Sequence, residues 1–246
     1  MTTLLLSSRQ TGDAQSLWRA AINRKWPVVR ARGLTIPDFD DDEVVIYVEA
    51  LFAPEIAKRL DRELLDPAED WLVNLPFSLT RRQIYLTTLG EARLIAEPTF
   101  IKPPNDKSFI AQVYESGADL STAFDDSTLV LVATPVNWVS EYRCFCLDGR
   151  VVTHSPYLRC GELAISSDYA ITDQESANAI ATAEQAIEHT ASGLPRAVVI
   201  DVGEIENEGW AVVEANGAWG AGIYGCDPHL VLDVIRHCTI RTQTPE

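Results

Sequence analysis

A short apolar run over residues 3–6 ends at Ser7, Ser8 and Arg9, and beyond Gly12 and Asp13 the residues Leu17, Trp18, Ala21 and Ile22 recur at helical spacing. That pattern predicts strand, loop and helix. After Pro27 a Val-rich run predicts a short strand, residues 44–48 a buried one and residues 53–65 a second helix, so the first ninety-odd residues read as a small α/β unit. Residues 79–92 keep a helical period and lead into a strand over 98–102 that ends in the rigid turn Pro103-Pro104-Asn105-Asp106. From there strands dominate. Residues 129–133 and 141–147 carry β patterns, and Asp148-Gly149 is a two-residue hairpin turn into 150–154. A helix with one apolar face is predicted over 173–191, a second hairpin joins 197–203 to 210–216, and a helix over 230–237 closes the pattern.

Composition narrows the class of molecule. The 246 residues suffice for one large domain or two small ones sharing a cleft, and 46% apolar with 23% charged residues excludes a largely disordered chain. Thirty-six acidic against twenty basic residues leave a formal charge of −16, so neither nucleic acid nor a membrane is an expected partner. A phosphate-bearing ligand then needs local bases. The opening apolar run is too short for a signal peptide and no stretch is long enough for a membrane helix, which predicts a cytoplasmic protein. Five cysteines in apolar settings point to reduced core thiols. The acidic run over 38–43 reads as a solvated loop or, less ordinarily, as a cation site.

The last hairpin carries the most chemistry. Asp201 ends one apolar strand, and Glu214 and Asn216 lie two apart on the next, on one face. With a four-residue loop over 206–209, in which Gly209 supplies the left-handed conformation, Asp201 and Glu214 are direct cross-strand neighbours. Like charges so placed destabilise a sheet unless a divalent cation joins them, and carboxylate plus amide oxygen is the ligand chemistry of Mg²⁺. A three-residue loop over 207–209 instead turns Glu214 to the opposite face, and solvent-facing acids on an ordinary hairpin are the plainer alternative.

Bases stand out in so acidic a chain. Lys102 ends an apolar strand, Lys107 follows across the proline turn, and Arg143 interrupts the strand over 141–147. Each alone reads as a surface base lying along apolar neighbours, but together with a carboxylate-bound metal they can hold a polyphosphate. The match to G-x-G-x-x-G over 220–225 lacks the βαβ context and the later acidic residue of a dinucleotide site. None of the four histidines has a nucleophile context or metal-type pairing.

These residues resemble the ATP-grasp superfamily, and within it the bacterial and phage branch named for one arginine and two lysines. The resemblance rests on Phe100-Ile-Lys-Pro-Pro-Asn-Asp-Lys-Ser-Phe109, Glu141-Tyr-Arg-Cys-Phe-Cys-Leu-Asp-Gly-Arg-Val-Val152, Ser155-Pro-Tyr-Leu-Arg-Cys-Gly161, and Val199-Ile-Asp-Val-Gly with Val213-Glu-Ala-Asn-Gly-Ala-Trp-Gly. It implies an α+β fold of two lobes enclosing a nucleotide cleft, with a small α/β domain over residues 1–95 before an ATP-grasp domain over 96–246. It further implies that Lys102 and Lys107 contact ATP phosphates, and that Arg143 serves the γ-phosphate or the transition state. Arg159 is implied near the acceptor, and the hinge over 132–136, with Thr134 and Val136, beside the adenine. Glu141 is implied in nucleotide binding, and Asp201, Glu214 and Asn216 as Mg²⁺ ligands. The chain departs from the family in its phosphate loop, Pro-Pro-Asn-Asp-Lys-Ser, which is not glycine-rich, and in its reduced N-terminal domain. The activity implied is ATP-dependent ligation of a carboxylate to an amine, peptidic or small, through an acyl phosphate. A kinase acting on a hydroxyl and a non-catalytic nucleotide-binding module are the alternatives.

Overall fold

The computed structural model describes residues 1–39, 43–105, 108–190 and 193–242. Leu4, Leu5 and Leu6 of β1 (Thr2–Ser7) are fully buried because helices pack on both sides of the strand. Thr11 caps α1 (Gly12–Asn23), its hydroxyl accepting from the Ala14 N–H. β2 (Val28–Ala31) and β3 (Glu43–Tyr47) flank β1 in parallel, giving the order β2-β1-β3. α2 (Ala53–Arg59) ends well before residue 65, where the periodicity places its end. Asp61 takes a left-handed φ of 52°, and β4 (Arg62–Leu64) follows.

The helix expected over 79–92 is corrected to three elements: α3 (Phe77–Thr80), β5 (Ile84–Thr88) and α4 (Leu89–Ala92). Arg81, at φ 54°, ends α3, and Ile84 and Leu86 alternate with more polar neighbours, which suits a half-buried strand. β6 (Thr99–Lys102), β7 (Gln112–Tyr114) and β8 (Leu129–Ala133) complete an antiparallel sheet in the order β5-β8-β6-β7. β5 thus shares a sheet with strands that lie beyond residue 96.

β9 (Trp138–Leu147) turns at Asp148-Gly149, both at positive φ, into β10 (Arg150–Arg159), and β11 (Glu162–Leu163) follows. α5 (Asp173–His189) starts from a reciprocal cap between Thr172 and Glu175. β12 (Ala197–Ile205) and β13 (Gly209–Gly217) then join a five-stranded sheet ordered β11-β10-β9-β12-β13. α6 (Pro228–Ile235) precedes β14 (Thr239–Arg241), which pairs with β4 and ties the end of the described chain to the N-terminal unit. One face of the large sheet packs Tyr142, Cys144, Ile200 and Ala215 against the alanines of α5. The other packs Phe145 and Val199 against β1, α1 and α6. All five cysteines are free, and four are buried. Among the described residues no helix is long and apolar enough to cross a membrane.

Candidate nucleotide and metal site

Three adjacent strands place three charged residues side by side. Arg143 of β9 is the register partner of Asp201 of β12, and Asp201 is that of Glu214 of β13. The hairpin reaches this pairing by a route other than the four-residue loop. Ile205 pairs with Gly209, so the loop is residues 206–208, and an extra residue at Val213 restores Asp201 to Glu214. Gly209 does carry a positive φ, 87°.

Arg143 donates from Nε to Asp201 Oδ1 at 2.9 Å, from Nη2 to Oδ2 at 2.6 Å, and from Nη1 to the Gly222 carbonyl at 3.1 Å. Its guanidinium rests on the Tyr157 and Tyr224 rings, 5.3 and 5.0 Å from their centroids. Burial works against the Arg143 charge, yet the adjoining Asp201 carboxylate outweighs it and raises the pKa. Asp201 itself is fully buried, and that burial lifts its carboxyl above the ordinary value against the pull of Arg143. Asn216 Nδ2 donates to Glu214 Oε1 at 2.9 Å and to Asp201 Oδ2 at 3.4 Å.

Lys102 reaches the row from the other sheet. Its Nζ forms an ion pair with Glu214 Oε2, so the ion pair bridges β6 and β13. Burial alone would raise Glu214, but the Lys102 charge and hydrogen bonds from Asn216 and Lys102 carry it down to about 2. Two neighbouring carboxylates, Asp201 and Glu214, are flanked by the cations Arg143 and Lys102, and the row of four is neutral. The space around Lys102, Leu131, Glu214 and Ala215, walled by Trp71 and Leu72, is only about 10 Å³, so the two sheets are closed on each other here.

Glu141 lies on the same face, two residues before Arg143, and accepts a 2.6 Å hydrogen bond from the Tyr157 hydroxyl, while burial raises its pKa. Thr134 lines a cleft of about 650 Å³ with Gln83, Tyr85 and Thr99, and its backbone N–H already donates to the Gln83 carbonyl at 3.0 Å. Val136 is half-buried in the connection between β8 and β9. Arg159 is not brought to the row. It donates to Glu175 Oε1 at 2.7 Å and to the Ala170 carbonyl at 2.9 Å, beside Tyr142 on the α5 face. Lys107 and Asp40 to Asp42 of the acidic run lie outside the described residues. Arg82 carries no signal in the sequence, yet it is a buried cation against β13, donating to the carbonyls of Thr80, Val212 and Val213.

Over residues 79–234 the chain matches the family model for an ATP-grasp domain, family 2 of the clade named for one arginine and two lysines. No curated protein sequence matches it. Among solved structures it is similar to a RimK domain protein ATP-grasp from Sphaerobacter thermophilus, with a TM-score of 0.59 at 17% identity over 96% of this chain and 99% of that one. D-cycloserine synthetase DcsG gives 0.58 at 12% identity over 96% and 99%. A D-alanine–D-alanine ligase from Bacillus anthracis complexed with ATP gives 0.52 at 11% identity over 97% and 96%. At such identities the likeness is one of fold.

Proposed function

We propose that this chain, which belongs to family 2 of the arginine-and-two-lysine clade of ATP-grasp domains, is an ATP-dependent ligase that joins a carboxylate to an amine. The observation that carries this is the row Arg143–Asp201–Glu214, met by Lys102 from the facing sheet. The synthetase and the ATP-bound ligase that share the fold support the reaction class. Asp201, Glu214 and Asn216 present two carboxylates and an amide on one face, a donor set that fits Mg²⁺. Their negative charge is now met by Arg143 and Lys102, which a divalent cation can replace without leaving net charge. Bound there, Mg²⁺ would neutralise phosphate oxygens of ATP.

Arg143 and Lys102, released from the carboxylates, then hold phosphate oxygens, the arginine by its planar fork and the lysine as a point charge. Lys107 is proposed to close over the phosphates, Glu141 to face the nucleotide, and the Thr134 to Val136 connection to face the base. An acid's carboxylate oxygen attacks the γ-phosphorus, the bond to the β-phosphate oxygen breaks, and ADP leaves an acyl phosphate. Attack of a neutral amine on its carbonyl carbon forms the amide and expels phosphate, the amine's proton passing to solvent. Arg143 serves this sequence by meeting the charge that grows on the transferring group. The start of the family match at residue 79 and the pairing of β5 with β8 support dividing the chain before β5 rather than at 95/96. Free buried thiols support a cytoplasmic setting.

Incubation with ATP, Mg²⁺ and paired panels of acids and amines tests the reading. It predicts ADP and phosphate together with a product whose mass is that of acid plus amine less water. A phosphorylated alcohol would assign a kinase instead, and nucleotide bound without turnover across the panel a binding module.

A further inference from the structure

Between the pairs Val202–Val212 and Asp201–Glu214, β13 gains one residue, Val213, that has no partner on β12. Side chains alternate along a strand, so a regular ladder that left no residue of β13 unpaired would set Asp201 against Val213 and turn Glu214 to the α5 face. The charge row therefore depends on the bulge. Among the described residues β13 is the edge strand of its sheet, with no further strand to hold the distortion.

A side chain holds it instead. In a regular strand successive carbonyls point to opposite edges, whereas here one guanidinium takes two in succession. Arg82 donates from Nη1 to the Val212 carbonyl at 2.8 Å and from Nη2 to the Val213 carbonyl at 3.0 Å, and Nη1 also donates to the Thr80 carbonyl at 3.0 Å. Arg82 is 8% exposed, and its guanidinium stands 5.0 Å from the centre of the Trp138 ring. That ring lies so close over Gly203 that an added Cβ would come within 2.8 Å of it. A cation buried at this cost, bonded to no carboxylate among the described residues and with its donors aimed at the bulge, has a use that packing alone does not explain.

We infer that Arg82 is a positioning residue: by binding the two carbonyls of the Val213 bulge it fixes the register that sets Glu214 against Asp201. The consequence for nucleotide binding rests on the reading of that row as the Mg²⁺–ATP site.

The test compares the full chain as wild type, as Arg82→Met, and as Arg82→Met with Val213 deleted. The deletion makes Val212 and Glu214 adjacent, so their pairing with Val202 and Asp201 no longer needs a bulge. Cross-strand NOEs between Asp201 and Glu214 read the register, and calorimetry reads Mg²⁺–ATP binding. Arg82→Met is expected to fold, lose those NOEs and bind Mg²⁺–ATP about 10- to 100-fold more weakly, the scale of losing a supporting residue at a metal site. The added deletion is expected to return both. Arg82→Met that keeps the Asp201–Glu214 NOEs overturns the inference whatever its affinity. If Arg82→Met does not fold, Arg82→Lys decides: a second register in its spectra supports the inference, and one register with wild-type NOEs overturns it. A wild type that binds no Mg²⁺–ATP overturns the nucleotide reading alone, and the NOEs still decide the role of Arg82.

Discussion

Arg143 and Asp201 meet at two points, Nε to Oδ1 at 2.9 Å and Nη2 to Oδ2 at 2.6 Å, around a carboxylate with no exposure to solvent. The arginine is thus the counter-ion of a carboxylate proposed to hold Mg²⁺. The phosphate role proposed for Arg143 would require it to change partners. Lys102 stands in the same relation to Glu214 between the two sheets.

Arg143→Met leaves Asp201 buried without a partner and is expected to cost about 3–5 kcal/mol, the range for breaking a buried pair. Arg143→Lys keeps the charge but loses the two-point contact. It is expected to lower the melting temperature and to slow ADP release by about 10²-fold, as for the loss of one preorganised donor. Calorimetric unfolding and ADP release on one preparation separate the two roles. A lysine variant with a lowered melting temperature and unchanged turnover leaves Arg143 a counter-ion only.

Acid unfolding should report Glu214. Its carboxyl, held at about 2 against an ordinary 4.5, stabilises the fold at pH values above 4.5, and that stabilisation is lost as pH falls from about 4.5 towards 2. Glu175, held at about 2 chiefly by its hydrogen bond from Arg159, contributes with the same sign. Asp201, raised by burial, works in the opposite sense and gains stability as pH falls through its raised value. Glu214→Gln should therefore flatten the decline in unfolding free energy over this window, and Glu175→Gln should flatten what remains. An acid profile for Glu214→Gln that overlays the wild type contradicts this assignment.

Much of this was legible in the chain. Asp148-Gly149 marks a hairpin, and one of the two loop lengths open to the sequence, the four-residue one, sets Asp201 against Glu214. What escaped was non-local. Leu79, Leu86 and Leu89 fit a helical period within 79–92, and it is pairing with β8, more than forty residues on, that makes residues 84–88 a strand. The loop at 206–208 and the bulge at Val213 are two departures that cancel, so the expected pairing holds although its route differs. The hydrogen bonds of Arg82 among the described residues go to carbonyls, which every residue has, and so leave no trace in residue types.

Arg159→Ala removes a partly exposed pair with Glu175 and is expected to cost no more than about 1 kcal/mol. Because Arg159 lies on the α5 face, Mg²⁺–ATP affinity should be unchanged by calorimetry. A raised KM for the acceptor at unchanged ATP affinity would instead support the acceptor role that the family resemblance implies for it.

Gly203→Ala forces a Cβ to within 2.6 Å of the Ser140 carbonyl and 2.8 Å of the Trp138 ring. Overpacking of this kind costs about 1–3 kcal/mol. Chemical denaturation should show that loss, and a variant as stable as the wild type would mean that Trp138 does not lie over β12.

Calorimetric titration of ATP, with and without Mg²⁺, into the wild type and into folded Asp201→Asn and Glu214→Gln addresses the central claim most directly. Two carboxylates that exchange protein cations for a divalent ion predict wild-type binding that depends on Mg²⁺. Each substitution should weaken Mg²⁺–ATP binding by about tenfold or more, as expected when one charged ligand of the ion is lost. Mg²⁺–ATP affinity unchanged from wild type in both variants would contradict the account and remove Asp201 and Glu214 from the metal site.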